Sequence, residues 1–200
     1  RHLVSRKESA RILDIGSSDS DLAKALESFA DGKWQVYGVD IKGKCDALMD
    51  ARMLAFGDET FDQVVCVSTV EHVGLGSAEF DKQGDIRTMR EISRVLKNGG
   101  RLVLTVPFGV APTRAVDDQR ESLEIANLPT MKTRIYNSKT LASLVEDYSI
   151  EASEFYRYFC GRWKKCSEST AMKAAAMRDA TPIGFHSGAC ACLLLRKAGS

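Results

Sequence analysis

Short apolar runs alternate along this chain with stretches in which apolar residues recur every third or fourth position. Ile12 to Ile15 reads as a strand, and Leu22, Leu26 and Phe29 follow at helical spacing until Asp31-Gly32 supplies a stop. Val36 to Val39 is a second strand, and Ala47 to Asp50 a brief edge strand. Phe61 to Val67 is continuously apolar apart from its start, as expected of a strand buried on both faces of a parallel sheet. Ile86, Met89, Ile92, Val95 and Leu96 mark a helix closed by Asn98-Gly99-Gly100, and Arg101 to Val106 is a strand stopped by Pro107. Further on, Ser138 to Asp147 is helical, with Leu141, Leu144 and Val145 inward, and leads to a strand over Ile150 to Phe159. A helical insertion spans about 167–181: Glu168 to Ala180 is rich in Ala and Met and ends before Pro182. Ala189 to Leu195 is the final strand.

This order predicts one α/β domain over residues 1–200, its sheet mostly parallel and its late strands closing antiparallel. Composition agrees, since 200 residues at 44% hydrophobic content build one well-packed core more readily than two. The 28 Lys+Arg nearly cancel the 27 Asp+Glu, so no bulk field argues for nucleic acid or an anionic membrane. No apolar stretch reaches the roughly 18 residues of a membrane span, and no signal-peptide core follows Arg1. The first residue is Arg and not Met, which leaves open a segment upstream. Six cysteines without a C-x-x-C pair, two of them inside apolar strands, predict a reducing, cytoplasmic setting. Oligomeric state is not legible.

Two of the strands end in carboxylates. R-I-L-D-I-G-S-S-D-S runs from Arg11 to Ser20, and W-Q-V-Y-G-V-D from Trp34 to Asp40. Strand ends of this kind present acidic groups to a nucleoside at the carboxyl edge of a sheet, and the first loop opens a helix whose N–H groups face the ligand. A pyrophosphate wants bare glycine amides, whereas S-adenosylmethionine (SAM) brings an ammonium and a sulfonium that tolerate carboxylates. Asp14 two residues before Gly16 therefore favours SAM over a dinucleotide.

Four segments in order carry a resemblance: L-D-I-G-S-S-D-S, V-Y-G-V-D, M-D-A-R-M-L-A-F-G-D-E-T-F-D, and S-T-V-E-H-V with R-V-L-K-N-G-G-R-L-V-L-T-V-P. The chain resembles the class I SAM-dependent methyltransferases over roughly its whole length. That resemblance implies a Rossmann-like sheet of seven strands, helices on both faces and one antiparallel strand near the C-terminus. Ser18 and Ser20 depart from it, standing where the family usually has glycines; a serine hydroxyl there can cap the next helix.

Carried over by position, the cofactor site comprises Asp14, Ile15, Gly16, Ser17, Ser18, Asp40, Ile41, Asp50, Ala51, Arg52 and Ser68. Asp14 would hold the methionine ammonium and Asp40 both ribose hydroxyls, because a carboxylate accepts but does not donate. Asp50 would take the adenine amino group and the Ala51 amide a ring nitrogen. Ile41 and Met53 are either adenine walls or plain core. Glu71 and His72 are the catalytic candidates: His72 as general base, Glu71 either catalytic or completing an S-x-x-E capping box with Ser68.

Other features allow two readings each. Gly74 to Gly84 is a closing loop or a long surface connection. Tyr156 to Lys165, Y-R-Y-F-C-G-R-W-K-K, mixes aromatics and cations that can stack bases or sugars and grip phosphate; a plain strand is the simpler reading, leaving Arg162 and Trp163 toward the acceptor. Arg134 and Tyr136 precede a helix and face the same cleft. No metal is expected, since Cys160, Cys166, His186, Cys190 and Cys192 lack a paired knuckle. The expected function is methyl transfer from SAM, leaving S-adenosylhomocysteine (SAH), to a small-molecule or glycan-type O or N nucleophile. A non-catalytic SAM-binding module, and an RNA methyltransferase using Arg157 to Lys165, are the alternatives.

Overall fold

In this computed structural model, the described residues are 8–18, 20–75, 80–109, 122–124, 132–173 and 188–198. The chain opens with β1 (Ala10–Ile15), α1 (Leu22–Phe29), β2 (Trp34–Asp40), β3 (Ala47–Leu48) and β4 (Phe61–Val67). A 3₁₀ turn, Val70–His72, leads to α2 (Gly84–Val95) and β5 (Leu96–Pro107). Then come β6 (Ser122–Glu124), β7 (Lys132–Arg134), α3 (Ser138–Leu144), β8 (Tyr148–Phe159), β9 (Arg162–Cys166), α4 (Glu168–Met172) and β10 (Ala189–Lys197).

Eight strands form one sheet in the order β3-β2-β1-β4-β5-β10-β8-β9, and β6 pairs with β7 apart from it. β1, β2, β3, β4 and β5 run parallel, and β10 is antiparallel to both β5 and β8. This is the Rossmann-like α/β arrangement with one strand more than the seven expected. The extra strand comes from Tyr156 to Lys165, which is no single strand: the chain reverses at Cys160-Gly161, both at positive φ, into a two-residue hairpin joining β8 to β9. Two strands, β10 and β9, are therefore antiparallel to the rest.

Period-two alternation assigns the sheet's faces. Ala10, Ile12, Trp34, Val36 and Val65 pack with Leu26 of α1 and Ala30 just past its end on one side. Leu13, Ile15, Val64, Leu102, Leu104, Leu193 and Leu195 pack with Met89, Ile92, Leu141 and Leu144 of α2 and α3 on the other. The stop at Asp31-Gly32 is realised, both residues being left-handed. Asn98-Gly99-Gly100 does not close α2, however. The helix yields directly to β5 at Leu96, and the Gly99 turn lies within an irregularity in the β4–β5 register. α3 stops at Leu144, three residues short of Asp147, with its start set by a capping box between Asn137 and Thr140. α4 begins inside the expected insertion, and residues 174–181 of it lie outside the described residues.

Candidate active site at the carboxyl edge of the sheet

The parallel strands β1, β2 and β4 end on a common edge. After β1 the chain turns sharply, with the Gly16 and Ser17 amides donating to the Val39 carbonyl at 2.8 and 3.2 Å. Gly16 sits at φ +83, and a Cβ there would meet Thr69 Oγ1 at 2.0 Å. Only glycine fits, for its backbone as much as for its missing side chain. The Ser18 backbone amide, which glycine would supply equally, donates to Asp40 Oδ2 at 3.0 Å, while the Ser20 hydroxyl accepts from the Leu22 amide at 3.1 Å at the start of α1.

Alternation puts Asp14 and Asp40 on the same, α1, face of the sheet. Asp14 is 2% exposed, and its Oδ2 has no hydrogen-bond partner; the buried Ser17 hydroxyl beside the same loop has none either. Burial first and the Asp40 charge second push the Asp14 carboxyl up to about 6. An acidic group in this condition is complementary to a cation that brings hydrogen-bond donors. Asp40 already accepts from the Ser18 and Lys42 amides, yet each oxygen keeps a lone pair that a diol can use.

Asp50, Ala51 and Arg52 are brought alongside through the Met49 amide, which donates to the Asp40 carbonyl at 2.8 Å. Here the side chains pair among themselves. Arg52 donates to Asp50 from Nε and from Nη2, the latter at 2.7 Å, and reaches Asp81 with Nη1 at 3.3 Å. Arg52 thus anchors Asp50 and holds its carboxyl below the usual carboxylate range. Ile41 and Met53 are not core: they are 68% and 78% exposed, two large apolar side chains flanking the acidic loops.

Past β4 the structure departs from the sequence reading. Ser68 is left-handed at φ 49 and its hydroxyl lies 3.4 Å from the Thr105 hydroxyl, so no capping box forms with Glu71. Glu71 is instead buried, with Oε2 unpartnered, and desolvation pushes its carboxyl up to about 8 against the lowering by its own amide and Arg134. His72 Nε2 lies 3.9 Å from Glu71 Oε1, and the imidazole stays partly exposed.

Arg134 and Tyr136 do not face the cleft. Arg134, 1% exposed, donates to the carbonyls of Glu71, Val73, Asp81 and Lys82, and its Nε lies 3.6 Å from Asp85, which also accepts from the Tyr136 hydroxyl at 3.1 Å. A cation buried among carbonyls fastens both ends of the loop between β4 and α2. The ends are also pinched together, the Asp81 amide donating to the Gly74 carbonyl at 2.8 Å. Residues 76–79 of that loop lie outside the described residues. Thr69, Asp81 and Asp85 were missed from sequence, because each acts through a partner far along the chain. Among the described residues no three potential ligands gather as a metal site, and no helix is long and apolar enough to cross a membrane.

A doubly wound sheet with acidic strand ends around an uncompensated carboxylate defines the nucleoside-binding α/β class. Residues 13–104 match the family described as a methyltransferase domain. Among solved structures the chain is similar to a SAM-dependent methyltransferase from Methanosarcina mazei, at 18% identity and TM-score 0.67, covering 100% of this chain and 96% of that one. It is also similar to the 1,6-didemethyltoxoflavin-N1-methyltransferase of Burkholderia thailandensis, solved with its substrate and S-adenosylhomocysteine, at 14% identity and TM-score 0.60, covering 96% of this chain and 72% of that one. A 53-residue stretch is 38% identical to an uncharacterized protein of Methanocaldococcus jannaschii, and covers 26% of this chain and only 19% of that relative's length. Residues 13–104 thus match the methyltransferase-domain family, and the chain as a whole has the fold of the SAM-dependent methyltransferases it is similar to.

Proposed function

We propose that this protein transfers the methyl group of SAM to a small-molecule or glycan-type oxygen or nitrogen nucleophile, in a cytoplasmic setting. The observation that carries the reading is Asp14: a buried carboxylate with an unpartnered oxygen, beside the unpartnered Ser17 hydroxyl and on the same sheet face as Asp40. Those groups fit the ammonium of SAM, whose sulfonium supplies an activated methyl group. Asp40 would hold the ribose diol, with Gly16, Ser17 and Ser18 forming the floor beneath it and Ile15 and Ser68 at its margins. Ile41 and Met53 would flank the adenine. Both Asp50 oxygens already accept from Arg52, so the exocyclic amine would share an oxygen with it while the Ala51 amide meets the ring.

Displacement at a sulfonium gains chiefly from holding donor and acceptor aligned. His72 would accept the proton that the nucleophile loses. Glu71, with its carboxyl up at about 8, is largely neutral at pH 7 and so places no full negative charge beside the His72 imidazole.

Calorimetry with SAM on the native chain and on Asp40→Ala tests the reading. Native binding with a loss of about tenfold or more in the variant is expected. No native binding at millimolar SAM would end the methyltransferase proposal, and an unaffected Asp40→Ala would end the cofactor placement.

A further inference from the structure

The hairpin that adds β9 to the sheet concentrates positive charge on one of its faces. By register, Arg157 lies opposite Lys164 and Phe159 opposite Arg162, and alternation sends all four side chains to the face that also carries Phe155. There the Arg157 guanidinium stands 4.9 Å and the Lys164 ammonium 5.1 Å from the centroid of the Phe159 ring, which is 48% exposed. Among the described residues none of Arg157, Arg162 and Lys164 pairs with a carboxylate. The opposite face is neutralised: Lys165 bonds Glu154, and Tyr156 donates to the same carboxylate. Cations on an edge strand also guard against edge-to-edge pairing, but that purpose needs no convergence on one half-exposed ring.

Position relates this patch to the cleft. β8 runs parallel to β4, both being antiparallel or parallel through β5 and β10, so its C-terminal tip projects from the same edge that bears His72. Val67, Thr105, Cys192 and Glu154 form one row across the sheet. Three to four strand spacings sideways and three to five residues upward place the patch roughly 17–25 Å from the end of β4. Beneath the surface the hairpin is braced to the loop after β4 through the core: Phe155 packs on Phe108 at 4.8 Å, Phe108 bridges to Tyr136, and Tyr136 bonds Asp85 beside Arg134.

Resting on the methyltransferase reading, we propose that Arg157, Arg162 and Lys164 around Phe159 form a phosphate subsite for the acceptor. The acceptor is then an extended molecule, bearing a phosphate or pyrophosphate at one end and its nucleophile, longer than one sugar ring away, at the other. Three cations suit a group of two or three negative charges better than a lone carboxylate. A polynucleotide fits less well, because the basic surface is confined to one face of one hairpin and the chain's net charge is +1.

Titration of the native chain, saturated with SAH, with inorganic pyrophosphate at about 50 and about 200 mM salt tests this. Binding is expected, weakened about tenfold or more in the triple variant Arg157→Gln, Arg162→Gln, Lys164→Gln, with SAM affinity unchanged. Lys165→Gln, which also removes one positive charge but from the other face, is expected to bind as native. No native pyrophosphate binding, a triple variant that binds as native, or an equal loss in Lys165→Gln overturns the subsite. Far tighter binding of a twelve-nucleotide oligouridylate (about 100-fold), with a steep salt dependence, overturns it in favour of RNA. If SAM itself fails to bind, the methyltransferase reading falls; if SAM binds and pyrophosphate does not, the subsite alone falls.

Discussion

Asp14 carries its charge at a cost to the folded protein. Folding raises its carboxyl from an ordinary 3.8 to about 6, so the group favours the native state fully only below the unfolded value. That contribution is lost as pH climbs from about 4 through about 6, and above 6 an ionised Asp14 sits unpaired. Asp14→Asn is therefore expected to stabilise the ligand-free protein by about 1–2 kcal/mol at pH 8 and by little at pH 4, read from urea denaturation at the two pH values. The same change should weaken SAM binding about tenfold or more at pH 8. Native affinity should fall as pH drops below about 6 while the variant's stays flat. Equal stability of the two proteins at pH 8 would show that the carboxylate is not strained. At this scale the sequence was legible where a residue acts on its neighbours: the tight turn at Gly16, two residues after Asp14, follows from local spacing. It was silent on Thr69, whose contact with Gly16 explains why that position tolerates no side chain, because nothing local links residues so far apart in sequence.

Among elements, the loop between β4 and α2 owes its shape to a side chain from β7. Arg134 satisfies four of its carbonyls at once, so removing the guanidinium strands those acceptors and the Asp85 charge together. Arg134→Leu is expected to cost about 3–5 kcal/mol and to raise amide exchange over residues 71–75 and 80–83 more than over β1 and β2, measured by hydrogen exchange with mass spectrometry. Uniform loss of protection across the sheet would reduce Arg134 to a general core residue. Element type was legible here, since hydrophobic period distinguishes strand from helix. Element partners were not. S-x-x-E allows Glu71 to be a cap or a catalytic group, yet its burial excludes the cap, and T-R-I-Y-N, expected to face the cleft, turns its long side chains inward. The hairpin was missed because a cysteine holds the first left-handed position, where glycine, asparagine or aspartate signals such a turn.

For the whole molecule, the alternation of strands and helices was enough to specify a mostly parallel sheet, and the four motifs its family resemblance. The number of strands was not, since β9 is an addition decided by the turn at Cys160-Gly161. The place of β10 carries the largest consequence for stability. It supplies Leu193 and Leu195 to the main core and joins β5 to β8 through antiparallel pairs on both sides. Leu195→Ala, at a fully buried position, is expected to cost about 2–4 kcal/mol in thermal or chemical unfolding, and an unchanged midpoint would contradict the central role of this strand.

Because β10 lies between strands made earlier in synthesis, the sheet cannot be assembled in the order in which the ribosome delivers it. β8 and β9 emerge first and must leave open a slot beside β5 until the residues after Gly188 follow. During that interval two unpaired edges face each other across a gap one strand wide, a hazard for aggregation in the nascent chain. The carboxyl edge that bears Asp14 and Asp40, built wholly from residues before Pro107, is complete long before the seam that stabilises it.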